Sequence, residues 1–177
     1  KVDVATADTS LDSLDGTIIE QRIEAQDLQQ LNFGTSSAKS FTLAFWVKSN
    51  KTGTYVVRLL QPDNSSKQVS YAYTISSADT WEKKVVNIPG DTAGAINFDN
   101  GSGLGISWFL SAGAGLQSGA LRSTWTAYAN GDAAVGQVNL ADSTDNEWYL
   151  AGVQLEVGTF DANSIAPFQH ESFGDSL

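Results

Sequence analysis

In the stretch SFTLAFWVKSN, Phe41, Leu43, Phe45 and Val47 alternate with Thr42, Ala44, Trp46 and Lys48. A period of two is that of a strand with one face in a core. The same period recurs along the chain. TIIEQRIEA sets Ile19, Gln21 and Ile23 against Ile18, Glu20, Arg22 and Glu24, and KQVSYAYTI sets Val69, Tyr71, Tyr73 and Ile75 against small polar residues. LGISWFLSA holds Leu104, Ile106, Trp108 and Leu110 in phase. EWYLAGVQLEVG sets Tyr149, Ala151, Val153, Leu155 and Val157 against Trp148, Leu150, Gly152, Gln154 and Glu156. TYVVRLL and WEKKVVNIPG complete the set, the first stopped by Pro62-Asp63-Asn64 and the second by Pro89-Gly90. AQDLQQLNFG predicts a helical turn or two ending at Gly34. Residues 113–147, rich in Gly, Ala, Ser and Asn, predict loops with one short strand at most.

Short strands at close spacing, with no amphipathic run of helix length, predict an all-β antiparallel β-sandwich with jelly-roll topology. Residues 1–16 read as a lead-in, 17–158 as the sandwich and 159–177 as an exit segment. The absence of Met in a chain that begins at Lys1 reads as a piece of a longer protein.

Composition narrows the partners. With 20 acidic against 10 basic residues the net charge is −10, which repels nucleic acid and anionic membranes. No apolar run approaches a bilayer-spanning length. The absence of cysteine removes disulfides, thiolate metal sites and cysteine nucleophiles.

If the Phe41 set faces the core, Trp46 points out of the sandwich. The same alternation sends Phe109 outward with Ser107 and Ser111, and Trp148, Gln154 and Glu156 outward from the last long strand. Glu20 and Arg22 face outward from the first. Exposed rings among Arg, Gln and Glu on one sheet suit carbohydrate, whose C–H faces stack on rings while its hydroxyls take polar partners. Arg58 is a further polar candidate. Trp125 and Tyr128, in the long loop segment, offer a second surface at a loop tip. The competing expectation is that an outward aromatic lies under a loop as a satellite core, and residues 113–147 are long enough to provide one.

Chemistry-bearing motifs are sparse. Glu20, Glu24, Glu147 and Glu156 are the carboxylates a glycosidase would pair across strands, but no compact acidic motif joins them. His170 is the one histidine and falls in the exit segment, a poor place for a catalytic triad. The chain has no HExxH, P-loop or GxGxxG motif. No cofactor is required by this reading. Asp3, Asp8, Asp12, Asp15, Asp142 and Asp145 supply hard oxygen ligands for a structural calcium ion, without EF-hand spacing.

IIEQRIEAQDLQQL, SFTLAFWVKSNKTGTY, YTISSADTWEKKVVNIPGDTAG, AVGQVNLADSTDNEWYLAGVQLEVG and IAPFQHESFGDSL, in this order, resemble a module of bacteriophage tail-fibre and other virion-surface proteins, including those of marine phages. The resemblance implies a jelly roll similar to carbohydrate-binding modules. It implies a non-enzymatic role in attachment to host polysaccharide or cell-surface glycan, or in particle decoration and assembly, with a homotrimer expected from a fibre. It transfers no catalytic residue. Modules of similar fold bind on a sheet face, which favours Trp46, Phe109 and Trp148, or at a loop edge, which favours Trp125 and Tyr128. Gln154 stands where some such modules carry a calcium-ligating acid.

Overall fold

The computed structural model describes residues 1–63 and 65–168. His170 and the rest of residues 169–177 of the exit segment lie outside the described residues. The strands are β1 (Val2–Asp3), β2 (Gly16–Glu24), β3 (Phe41–Ser49), β4 (Gly53–Gln61), β5 (Lys67–Ile75), β6 (Glu82–Ile88), β7 (Ser102–Ala112), β8 (Thr126–Ala127) and β9 (Glu147–Val157). They form two antiparallel sheets, in the orders β1-β9-β3-β6 and β2-β7-β4-β5-β8. We call these the four-stranded and the five-stranded sheet.

The alternation of each strand gives the core. Phe41, Leu43, Phe45 and Val47 of β3 meet Tyr55, Val57 and Leu59 of β4, and Leu104, Ile106, Trp108 and Leu110 of β7, all essentially without solvent contact. Phe45 packs edge-on against both Tyr73 and Trp108, with ring centres 5.2 and 5.7 Å away, while Tyr55 stacks on Tyr73 at 5.8 Å. Such pairings fix the two layers relative to each other beyond what area burial alone does. Burial and the neighbouring Tyr55 hydroxyl push Tyr73 well above the usual tyrosine range, and burial pushes Tyr71 up to about 12.

The predicted helical turn is a 3-10 helix, Ala25–Leu31. Ala25, Leu28 and Leu31 recur every three residues, the period of that helix, and all three are buried. Asn32 ends it in the left-handed region, at φ 54°.

One strand departs from its predicted facing. Between Ala44↔Gln154 and Trp46↔Ala151 the β3–β9 register shifts by one residue, because β9 bulges around Gly152, whose φ is +55°. After the bulge Val153 and Leu155 pack on the core as the alternation predicts. Before it the order inverts: Trp148 is fully buried and Leu150 packs against the core, while Tyr149 and Ala151 face outward. Trp148 is therefore a core residue and no part of an outer platform. The signal for this was the glycine within a strand.

Residues 113–147 supply only the two-residue β8 and three short 3-10 turns, Ala114–Leu116, Asn130–Asp132 and Leu140–Asp142. They form a roof over part of the outer face of the five-stranded sheet. Phe109, Val56 and Ala112 from the sheet join Ala133, Ala134 and Leu116 from the roof in a second hydrophobic cluster. Phe109 does point away from the main core, yet only 3% of it meets solvent. Its role is structural packing under a loop.

Candidate functional site

The outward residues named by the sequence divide between two faces. Trp46 and Gln154 lie on the outside of the four-stranded sheet; Glu20, Arg22, Arg58 and Phe109 lie on the outside of the five-stranded sheet.

On the four-stranded sheet, Trp46 is 40% exposed. It stands opposite Lys83 on β6 and Ala151 on β9. Its indole rests on Gly152: a Cβ there would lie 3.1 Å from Trp46 Cδ1. The bulge glycine thus inverts β9 and also clears the shelf on which the indole lies. One row further along, Lys48 of β3 pairs with Tyr149 of β9. The Lys48 ammonium sits 4.3 Å from the Tyr149 ring centre and 5.8 Å from that of Trp81, and the two rings meet edge-on at 6.1 Å. Trp81, just before β6, is 43% exposed. Lys1 adds a third ammonium 5.5 Å from the Tyr149 ring, but it pairs with Asp3 at 2.9 Å and Glu147 at 2.8 Å. That pairing holds the Glu147 carboxyl below its ordinary range. Two indoles and a phenol, interleaved with ammonium groups, make an open aromatic platform. Strand alternation does not point to Trp81, which precedes its strand, and it assigns Tyr149 to the core because it carries no sign of the bulge at Gly152.

The far end of this face is covered. Residues 158–166 run across it: Asn87 Nδ2 donates to the Phe160 carbonyl at 3.0 Å, and Gln154 Nε2 to that of Ala166 at 3.1 Å. Gln154 also donates to Glu156 Oε1 at 3.0 Å. It anchors the chain rather than standing open beside Trp46.

The outer face of the five-stranded sheet is polar where the roof leaves it open. Cross-strand pairing aligns Glu20, Ser107, Arg58 and Ser70 in one row. Arg22 Nε donates to Glu20 Oε1 at 2.6 Å, Ser107 Oγ to Glu20 Oε2 at 2.9 Å, and Arg58 lies within 3.5 Å of Ser107 Oγ. Burial pulls the Glu20 carboxyl upward, but the Arg22 and Ser107 hydrogen bonds outweigh it and hold the group below its ordinary range. Beside this row Glu20, Arg22, Leu60, Pro62, Ser102 and Gly105 line a shallow dent of about 140 Å³. Arg58 is 8% exposed, its guanidinium held between the rings of Phe109 and Tyr128 at 5.2 and 5.7 Å.

The loop-edge pair also separates. Trp125 is half-buried, donates its indole N–H to the Pro89 carbonyl at 2.7 Å and packs edge-on against Phe33 at 5.6 Å. It is a wedge at the sandwich edge rather than a free tip. Tyr128 is 43% exposed and covers Arg58, its hydroxyl donating to Asn130 Oδ1 at 2.6 Å.

The carboxylates considered for catalysis are likewise split, Glu20 and Glu24 on β2 and Glu147 and Glu156 on β9. Among the described residues no three His, Cys, Asp or Glu side chains converge as a metal site. Asp142 pairs with Lys51 and accepts from Asn146, and Asp15 accepts from the Asp12 N–H at 3.0 Å. Among the described residues no helix is long and apolar enough to cross a membrane. Compared with protein-family models, curated proteins and solved structures, the chain matches none.

Proposed function

We propose that the chain is a non-enzymatic glycan-binding module that meets its ligand on the open face of the four-stranded sheet. The observation that carries this reading is the exposure of Trp46 and Trp81, at 40% and 43%, on one face of a rigid sheet. Indoles that served only for packing would be roofed as Phe109 is. Sugar rings offer flat C–H faces to such indoles, and Lys48 and Lys83 supply donors for hydroxyls at the rim. The strand orders β1-β9-β3-β6 and β2-β7-β4-β5-β8 support a jelly-roll reading of the sandwich, similar to that of carbohydrate-binding modules.

We place the module, on the resemblance alone, on a phage tail fibre or other virion surface, acting outside the cell in host attachment. A homotrimeric fibre would multiply weak single sites through effective concentration. The test is a titration of intrinsic tryptophan fluorescence with host polysaccharides, repeated for Trp46→Ala and Trp81→Ala. Binding that both variants weaken by about tenfold supports the reading.

A second reading, that the platform is an assembly surface within the virion, is favoured by the way residues 158–166 already dock on the same sheet. Flat sugar titrations, together with concentration-dependent association that Trp46→Ala abolishes, would replace the first reading with this one.

A further inference from the structure

We infer that the ligand of this platform is an acidic polysaccharide, whose carboxylate or sulfate groups are met by Lys48 and Lys83 while a sugar ring stacks on Trp46; the inference rests on the glycan-binding reading above. It starts from pairing. Acidic residues outnumber basic ones 20 to 10, so most cations in this chain find an anion. Lys1, Arg22, Lys51, Lys67, Lys84 and Arg122 each have a carboxylate within 4.0 Å. The other four, Lys39, Lys48, Arg58 and Lys83, have none among the described residues; Arg58 is buried between two rings on the opposite sheet, whereas Lys48 and Lys83 both flank Trp46.

Their positions follow from the register. Lys83 is the direct cross-strand partner of Trp46, and Lys48 lies two residues along β3 on the same face. Their Cβ atoms are therefore about 5 Å and about 7 Å from that of Trp46, within reach of substituents on a ring seated on the indole. Among the described residues neither ammonium meets an anion. Lys83 donates only a long 3.4 Å contact to the Ala162 carbonyl, and Lys48 lies against two ring faces, which take no strong hydrogen bond from it. Glu147, whose carboxyl feels the Lys48 charge, is itself held by Lys1 at 2.8 Å. Two cations left without anions beside exposed indoles, in a chain with surplus carboxylates, form a complement to a charged sugar. The net charge of −10 acts against a polyanion at long range, but screening confines that repulsion to about 8 Å at physiological salt, so local groups decide the contact.

The experiment titrates the full chain, read by tryptophan fluorescence, with three charged polymers and two uncharged counterparts. The charged ones are alginate, polygalacturonate and dextran sulfate. Fully methyl-esterified polygalacturonate and plain dextran keep the rings and remove the charge. The inference expects binding to at least one charged polymer, with the uncharged counterpart at least about fivefold weaker. Response to the uronates alone assigns a carboxylate, and response to dextran sulfate alone a sulfate ester. Lys48→Gln and Lys83→Gln each weaken the charged polymer by about two- to fivefold and the uncharged one by clearly less, with unaltered melting temperature.

Two results overturn the inference while sparing the glycan-binding reading. One is equal binding of charged and uncharged polymers, or of neutral host polysaccharides only. The other is loss of binding in Trp46→Ala with none in either lysine variant. Silence toward every polysaccharide overturns both.

Discussion

Phe109 and Trp46 hold equivalent places on opposite outer faces of the sandwich, each the large ring on the polar side of its strand. One is 3% exposed and the other 40%. The difference lies outside both strands. Above Phe109 the chain between β7 and β9 folds back as a roof. On the Trp46 face residues 158–166 cross the Thr42 and Asn87 end and touch Gln154 and Lys83, and among the described residues none closes over the indole as the roof closes over Phe109. Strand alternation decides which way a side chain points. Whether it meets water depends on what the distant chain places on top.

The roof is held by a specific latch. Asp132, 5% exposed, accepts from the Ala120 N–H at 2.8 Å and from Arg122 Nε at 2.7 Å, and its carbonyl accepts from Ser70 Oγ of β5 at 2.8 Å. The Arg122 guanidinium, then the Ala120 amide, hold the Asp132 carboxyl below its ordinary range. Among the described residues the open face has no comparable closure around Trp46, Trp81 and Tyr149.

The largest expected effect strikes the layer shared by the two faces. Tyr73 and Tyr71 bind their protons more tightly when folded, so their stabilisation is complete below the unfolded tyrosine value near 10. It is lost as pH rises through their folded values, about 12 for Tyr71. Denaturant midpoints should fall steeply between pH 9 and about pH 12, and a flat profile would contradict the burial described. Phe109→Ala should come next, costing about 3–5 kcal/mol in chemical denaturation while sugar binding survives at low temperature. Asp132→Ala should cost about 2 kcal/mol and raise hydrogen exchange in residues 113–137 without touching β3 or β9. Because its folded pKa is depressed, the latch holds above about pH 4 and opens as pH falls through the folded value. Gly152→Ala, at φ +55° and against the Trp46 indole, should cost about 1–2 kcal/mol and alter the Trp46 emission. Trp46→Ala should be smallest, within about 0.5 kcal/mol in stability, while reducing glycan binding about tenfold. If Trp46→Ala proved as destabilising as Phe109→Ala, the contrast between the faces would collapse.

The sandwich was legible because its strands keep a period of two through β3, β5 and β7, and those residues do form the core. The facing of Trp46 was legible for the same reason. The inversion of Trp148 and Tyr149 was not, since one glycine in a left-handed conformation shifts the phase and periodicity averages over it. The separation of Trp46 from Arg22 was hidden as well, because alternation within a strand says nothing of which sheet the strand joins. Nor did local pattern show that Phe109 would be roofed by residues far along the chain, or that Trp125 would point its N–H at Pro89. Trp81 precedes its strand and lies next to Lys48 only through cross-strand neighbours.

Gly152 makes β9 two half-strands of opposite phase joined at a single residue. Straightening the bulge with that residue kept in the strand would restore an unbroken zigzag, turning Trp148 and Leu150 to the water and driving Tyr149 into the interior. A segment so spliced has little freedom to slide: a slip by one position turns both halves wrong side out, and a slip by two takes the glycine from beneath Trp46. The bulge therefore works as a pin that locks β9 in place, and a surface that depends on Tyr149 and Trp46 standing side by side inherits its precision from that pin.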